Sequence, residues 1–120
     1  MTYPEFVESM ASDASKASHQ ARLTTAALGL AGEAGELADE IKKHLFHGHN
    51  LTKEKLREKV TKELGDIIWY ATFLMTTMNT TMEEVQAQNI KKLQERYKSG
   101  KFTALESINR DADAEGVVTT

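Results

Sequence analysis

Two short motifs place carboxylate side chains three residues apart in segments with helical character. Glu33 and Glu36 belong to a Glu-Ala-Gly-Glu motif, and Glu63 and Asp66 belong to a Glu-Leu-Gly-Asp motif. Residues at positions i and i+3 are neighbours on a helix surface, so each motif presents two carboxylates in one direction. Brought together, these hard oxygen donors would form a site for a divalent cation.

The segments that carry the two motifs are predicted to be long helices. Apolar residues recur every three or four positions over 23–46 and over 52–78, which predicts one helix for each range. Residues 47–51 contain glycine and asparagine and are predicted to form the turn. Further helices are predicted over 3–19 and 81–98. The predicted fold class is therefore all-α, an antiparallel helical hairpin with flanking helices, of the four-helix-bundle type and completed by oligomerisation.

An antiparallel hairpin would bring the two carboxylate pairs to the same level. Glu36 and Glu63 are both roughly 15 Å from the turn at about 1.5 Å per residue, and Glu33 matches Asp66 in the same way. The four side chains flank the apolar stripes, where unpaired anions repel one another and are costly to bury. A cation would resolve this conflict. The alternative is that both pairs lie on solvated helix faces.

The ligand type narrows the choice of metal. An all-carboxylate site suits Mg²⁺, with Mn²⁺ as a substitute. A redox di-iron bundle would be expected to contain Glu-x-x-His, and no histidine follows these acids at that spacing. Mg²⁺ held by a few carboxylates and several waters is the usual way to bind a polyphosphate.

Glycines occur within both predicted helices, beside the carboxylates. Gly29, Gly32, Gly35 and Gly65 each cost about 1 kcal/mol relative to alanine in a helix interior. Their position predicts a close approach to the helix backbone, either by a second helix or by a ligand.

The fourth predicted helix carries a basic face. Asn89, Lys92 and Arg96 are spaced to share one side of it, with Tyr97 beside them. A lysine ammonium and a forked guanidinium on one face can bind phosphate oxygens. The alternative is a solvated amphipathic helix whose cations pair with surface acids.

Two other groups of side chains have less specific interpretations. His44, His47 and His49 crowd the turn but lack an evident fourth zinc ligand, so solvated histidines are expected. Trp69 and Tyr70 are predicted to lie in the core or an interface, with a base pocket as the alternative.

Length and composition limit the class of protein. The chain has 120 residues, a net charge of −3 and no cysteine, which argues against a nucleic-acid polymer as partner and excludes disulfides and thiolate metal sites. No leader peptide or membrane span is evident, so a cytoplasmic protein is expected. One domain is predicted over 1–105, followed by a partly disordered tail over 106–120.

Taken together, the motifs resemble the MazG family of all-α nucleoside triphosphate pyrophosphohydrolases. The resemblance runs from about residue 27 to 97. It rests on Gly-Leu-Ala-Gly-Glu-Ala-Gly-Glu-Leu at 29–37, Lys-Glu-Leu-Gly-Asp-Ile at 62–67 and Asn-Ile-Lys-Lys-Leu-Gln-Glu-Arg-Tyr at 89–97. One departure is Lys98, where relatives often have proline.

The resemblance implies hydrolysis of a nucleoside triphosphate between its α and β phosphates, giving the monophosphate and pyrophosphate in nucleotide-pool housekeeping. It also implies assembly as a homodimer or homotetramer. The base and the sugar of the nucleotide are left open. The alternative is a non-catalytic helical module for nucleotide binding or oligomerisation.

The resemblance also assigns roles to individual residues. Either Glu33 or Glu36 is the candidate catalytic base, because a carboxylate near a metal can take a proton from water. The implied metal ligands are Glu33, Glu36, Glu63 and Asp66. The implied phosphate-binding residues are Asn89, Lys92, Arg96 and Tyr97.

Overall fold

The computed structural model describes residues 1–46, 52–98 and 100. Within these residues the chain contains four α-helices and no strand, which confirms the predicted all-α class, while completion by oligomerisation stays a prediction. They are α1 (Tyr3–Met10), α2 (His19–Phe46), α3 (Lys53–Thr77) and α4 (Met82–Arg96). The predicted turn at 47–51 and tail at 106–120 lie outside the described residues.

Threonine side chains begin two of the helices. The Thr2 hydroxyl accepts a hydrogen bond from the Glu5 backbone N–H at 3.2 Å, and Pro4 lies in the first turn of α1. The Thr52 hydroxyl accepts from the Lys55 N–H at 3.2 Å at the start of α3. Each hydroxyl satisfies a backbone donor that has no partner within its helix.

The predicted first helix over 3–19 is wrong in its length, because α1 ends at Met10. The Ser12 hydroxyl accepts a hydrogen bond from the Ser15 N–H at 3.1 Å, which offers the backbone an alternative to the helix. The Ser18 hydroxyl then accepts from the Ala21 N–H at 3.0 Å. Ser18 therefore caps α2, which begins at His19 and not at the predicted residue 23.

Helices α2 and α3 form an antiparallel hairpin, and α1 packs against α3. Along the hairpin, several residues of α2 lie opposite a residue of α3, and in each such pair the two residue numbers add to the same total. This is the expected pattern for two antiparallel helices in constant register. The pairs are Arg22–Thr77, Gly29–Tyr70, Glu33–Asp66, Glu36–Glu63 and Glu40–Lys59.

The core of the described residues is small. Val7, Ala11, Ala26 and Phe73 are buried together, with Trp69 partly buried against them. On α1, by contrast, the apolar side chains of Phe6 and Met10 are exposed. Apolar side chains of the hairpin are also exposed, because in one chain each hairpin helix has few neighbours to cover it. They include Ile41, Leu45, Leu64 and Ile68.

The described chain divides into two compact units, Met1–Thr81 and a second unit that begins at Met82. The second unit contains α4, on which Val85 and Ile90 are exposed. None of the described helices is both long and apolar enough to cross a membrane.

Candidate active site at the helical hairpin

Three of the four predicted carboxylate ligands lie close together. Glu33 and Glu36 project from α2 and Glu63 from α3, and one oxygen of each lies within 4.8 Å of the others. The spacing of three residues on α2 and the register of the hairpin together produce this arrangement. Glu36 is exposed, whereas Glu33 and Glu63 are half-buried.

Asp66 lies beside this group but is not part of it. It lines the same open cavity as Glu33, and its charge acts on the Glu33 carboxyl. The structure therefore places three carboxylates together and the fourth next to one of them.

The environment of Glu33 disfavours a negative charge. The pKa of Glu33 is raised to about 7, mainly because the carboxyl group is removed from water. When Glu33 is protonated, its proton can be shared with the adjacent Glu63 carboxyl, and the charges of Glu36 and Asp66 oppose ionisation of Glu33.

Two buried carboxylate oxygens of the cluster are suited to bind a cation. Oε2 of Glu33 and Oε2 of Glu63 are buried, and neither has a hydrogen-bond partner within the described chain. A buried polar atom without a partner is costly, and a buried anionic oxygen more so. An all-oxygen cluster with two such atoms has the ligand chemistry that a hard divalent cation requires.

An open cavity adjoins the carboxylates. It has a volume of about 270 Å³ and is lined by Glu33, Asp66, Trp69 and Tyr70. The Trp69 ring is stacked on Phe73 with 5.7 Å between centroids, and it meets Tyr70 edge to face at 5.1 Å. The sequence predicted a core or interface position for this aromatic pair. Its distance of three and four residues from Asp66 is the signal that places it on the face of α3 that adjoins the site.

The glycines differ in what surrounds them. The Tyr70 ring lies so close to Gly29 that a β-carbon there would overlap it, so the predicted close approach is found at this position. Apart from the adjacent residues and nearby backbone of the same helix, no atom of the described chain lies within 4 Å of the place where a β-carbon would stand at Gly32, Gly35 or Gly65. The backbone at these three positions is therefore open to a further molecule.

The predicted phosphate-binding residues belong to the second unit. Asn89 and Lys92 are exposed on α4, Arg96 is half-buried in its last turn, and Tyr97 is buried just after the helix. Their contact with phosphate stays a prediction.

The turn histidines are described only in part. His44 is half-buried in the last turn of α2, whereas the other two histidines of the turn lie outside the described residues. The expectation that all three are solvated therefore stays untested.

The fold and the site define an all-helical protein with an acidic cluster between two antiparallel helices. The sequence matches the MazG nucleotide pyrophosphohydrolase domain over residues 21–100. The chain belongs to this family, as its motifs predicted. Family membership supports a nucleotide pyrophosphohydrolase activity.

A relative of the chain occurs in a bacteriophage. The Gene 37 protein of Mycobacterium phage L5 is 35% identical over 78 residues, which cover 65% of this chain and 68% of the phage protein. No solved structure matches the chain.

Proposed function

We propose that this protein hydrolyses nucleoside triphosphates between the α and β phosphates in a reaction that depends on Mg²⁺. The products are the nucleoside monophosphate and pyrophosphate. The observation that carries the proposal is the convergence of Glu33, Glu36 and Glu63 in a chain of the MazG family. Two buried, unpartnered oxygens in this cluster support a bound cation.

The proposed metal ligands are the three converging carboxylates together with Asp66, which lines the cavity beside Glu33. When bound, Mg²⁺ neutralises charge on the phosphates and polarises them, and Mn²⁺ would substitute for it. The chain's own contribution is to hold the acids in place through the hairpin register. The helices order these side chains before substrate arrives, which lowers the entropic cost of binding.

One carboxylate of the cluster also has to accept a proton. We assign this role to Glu33 or Glu36, which lie on the same face of α2. As water attacks phosphorus and the bond to the bridging oxygen breaks, the carboxylate takes the proton that the water loses. A carboxylate that is not fully engaged in holding the metal keeps an oxygen free to accept this proton.

The basic face of α4 is proposed to bind the phosphates. Lys92 supplies a compact positive charge, and Arg96 supplies a fork of donors that matches phosphate oxygens. Asn89 and Tyr97 complete the motif that the family shares at this position. The support for these roles is the helical spacing and the family match, which includes all four residues.

We further propose that the protein works as a homodimer or homotetramer in cytoplasmic nucleotide-pool housekeeping. The exposed apolar side chains on both hairpin helices support association, since a soluble monomer rarely leaves a large apolar surface uncovered. The open backbone at Gly32, Gly35 and Gly65 would admit a closely packed second chain. Light scattering after size-exclusion chromatography measures the mass directly, and a mass equal to one chain would contradict this proposal.

Incubation with a panel of triphosphates and Mg²⁺ tests the activity, with products separated by chromatography. The wild type should release pyrophosphate and monophosphate, while Glu36→Gln and Glu63→Gln should lose roughly 100-fold or more of kcat. Glu58→Gln is the matched control, because Glu58 is an exposed acid of α3 that pairs with Lys62 outside the cluster. The proposal fails if no nucleotide is turned over, if the cluster variants remain active, or if orthophosphate is released instead.

A further inference from the structure

A lysine lies one helical turn from the carboxylate cluster of Glu33, Glu36 and Glu63 and is paired with an acid outside it. The Lys59 ammonium on α3 lies 3.4 Å from Oε2 of Glu40 on α2. In the register of the hairpin, this pair follows the Glu36–Glu63 pair by one turn, towards the end of α2 and the start of α3. The two helices therefore place acid opposite acid at one level and acid opposite base at the next.

The Lys59 side chain also has the cluster within its reach. Lys59 precedes Glu63 by four residues on α3. Residues at this spacing are neighbours on a helix surface, with about 5–6 Å between their β-carbons. The ammonium stands on a flexible four-carbon stem, and 49% of the side chain is exposed. It can therefore turn towards Glu63 as well as towards Glu40.

The cluster attracts any positive group that can reach it. Oε2 of Glu33 and Oε2 of Glu63 are buried and have no hydrogen-bond partner within the described chain. An ammonium group would supply the donors that these oxygens lack. Two positive groups repel each other at such short range, so a lysine bound at the cluster and a divalent cation would exclude one another.

Glu40 is positioned to prevent this competition. Its side chain is 25% exposed, about half the exposure of Lys59, so its carboxylate is the more enclosed partner of the pair. A partly exposed ion pair of this kind adds little to the stability of a fold. Its main consequence here is the place at which it keeps the Lys59 ammonium.

We propose that Glu40 is a positioning residue for the metal site, which holds the Lys59 ammonium away from the carboxylate cluster so that a divalent cation can bind there. The inference rests on the proposed function, because it takes the cluster to be the metal site. Without the charge of Glu40, Lys59 turns towards Glu63 and competes with the metal from within the protein.

Binding of Mn²⁺ in the absence of nucleotide tests this proposal. The full chain is titrated with Mn²⁺, and the electron paramagnetic resonance signal of the unbound ion gives Kd. Glu40→Gln replaces the carboxylate by an amide of the same shape and should raise Kd roughly 5-fold.

Glu58→Gln is the matched control for Glu40→Gln. It removes the same charge, and it also frees a lysine, because Glu58 pairs with Lys62 at 3.3 Å. Lys62 is next to Glu63 in the sequence, but adjacent residues of a helix do not face each other. The Kd of this variant should therefore stay within about twofold of the wild-type value.

Removal of Lys59 distinguishes competition from a simple loss of negative charge. Lys59→Met should return the Kd of the Glu40→Gln protein to within about twofold of wild type, and it should change the Kd of the wild type much less. A general electrostatic effect would instead make Lys59→Met strengthen Mn²⁺ binding by the same factor in both backgrounds. This comparison does not depend on catalysis.

Two results would overturn the inference. Glu40→Gln could bind Mn²⁺ as tightly as Glu58→Gln does, or Lys59→Met could have equal effects in both backgrounds. Circular dichroism establishes that each variant is folded. If Glu40→Gln does not fold, Glu40→Asp takes its place, because it keeps the charge but withdraws it from Lys59. Its Kd should also rise, and an unchanged value would decide against the proposal.

The role of Glu40 and the proposed activity can fail separately. A protein that shows the expected pattern of Mn²⁺ binding but releases no pyrophosphate has the positioning role without the activity. A protein that releases pyrophosphate and depends on Glu63, but whose Glu40→Gln variant binds Mn²⁺ like the control, contradicts this inference alone. If Glu63→Gln does not weaken Mn²⁺ binding, the cluster is not the metal site and both proposals are wrong.

Discussion

The ring of Tyr70 on α3 lies directly over the backbone of Gly29 on α2, in the space that a β-carbon at position 29 would occupy. This contact lies one helical turn from Glu33 and Asp66, which line the adjoining cavity. The absence of a side chain at Gly29 therefore sets how closely the two helices approach beside the carboxylate cluster.

Gly29→Ala should destabilise the protein although alanine favours the helix. The new methyl group would overlap the Tyr70 ring, and overpacking of this kind costs about 1–3 kcal/mol. Gly32→Ala is the matched control on the same helix, because nothing beyond the adjacent part of α2 lies within 4 Å of its new methyl group. It should gain up to about 1 kcal/mol from helix propensity. Urea unfolding of both variants measures the difference.

A second substitution identifies the cause of the loss. Tyr70→Leu removes the ring, so adding Gly29→Ala to that variant should cost much less than adding it to the wild type. Equal costs in both backgrounds would mean that the Tyr70 ring is not what excludes a side chain at position 29.

The metal-free protein should lose stability as the pH rises from about 4.5 to about 7. The pKa of Glu33 is about 7 in the folded chain, against an ordinary value of 4.5, so the folded state holds a proton that the unfolded state has released. Stability falls with pH wherever the folded state binds more protons, and this contribution is flat above pH 7. Thermal melting in EDTA at several pH values should show a decrease that Glu33→Gln lacks.

Added Mg²⁺ should reverse this loss. A cation that binds the folded carboxylates raises the melting temperature, and it does so most above pH 7, where no proton competes for Glu33. Glu63→Gln should weaken the effect, and Glu58→Gln should leave it intact because Glu58 pairs with Lys62 and is not one of the converging carboxylates. A shift of the same size at pH 5 and pH 8 would contradict the assignment of Glu33 as a ligand.

The hairpin and its acidic cluster could be predicted because each depends on short-range rules. Apolar periodicity predicts the two helices, and the distance of each motif from the turn predicts which carboxylates meet. Glu36 and Glu63 meet as expected on these grounds. The start of α3 is also predictable, since Thr52 is a typical N-cap and its hydroxyl accepts from the Lys55 N–H.

Other features depend on side chains that compete for backbone hydrogen bonds, or on tertiary packing. The periodicity of apolar residues carries no information about either. The end of α1 at Met10 follows from serine side chains that bind the backbone in place of the helix. The burial of Val7 in place of Phe6 depends on the direction from which α1 meets α3. The cavity beside Trp69 likewise exists only after α2 and α3 have packed. The sequence could place Asp66, Trp69 and Tyr70 close together on α3, but it could not predict the space between α3 and Glu33 on α2.

Arg22→Ala should lower the free energy of unfolding by about 1–3 kcal/mol, as hydrogen bonds to charged groups do. The guanidinium donates to both carboxylate oxygens of Glu8 and to the Thr77 hydroxyl, and it lies 4.5 Å from the centre of the Phe73 ring. This hydrogen bonding holds the pKa of the Glu8 carboxyl below its ordinary value. One side chain thereby joins α1, α2 and α3.

Lys62→Ala is the control for Arg22→Ala, because the exposed Lys62–Glu58 pair should contribute within about 0.5 kcal/mol. Arg22→Lys keeps the charge but loses the several donors of the guanidinium group, so it should show an intermediate loss of unfolding free energy. Equal stability of all three variants by urea unfolding would mean that the Arg22 contacts add nothing to the fold.

Lys92→Ala should raise KM for the triphosphate roughly 10- to 100-fold, as expected when a charged contact to phosphate is lost. Lys91 is the matched control, because it is an exposed lysine on the same helix, one position away on a different face. Lys91→Ala removes the same charge and should change KM within about twofold, apart from a small effect that salt screens. Steady-state kinetics at two salt concentrations distinguish a direct contact of Lys92 with phosphate from a general attraction by positive charge. If both lysine variants lose affinity equally and the loss disappears at high salt, the basic face of α4 attracts the substrate by its overall charge, and the assignment of Lys92 to a phosphate contact is wrong.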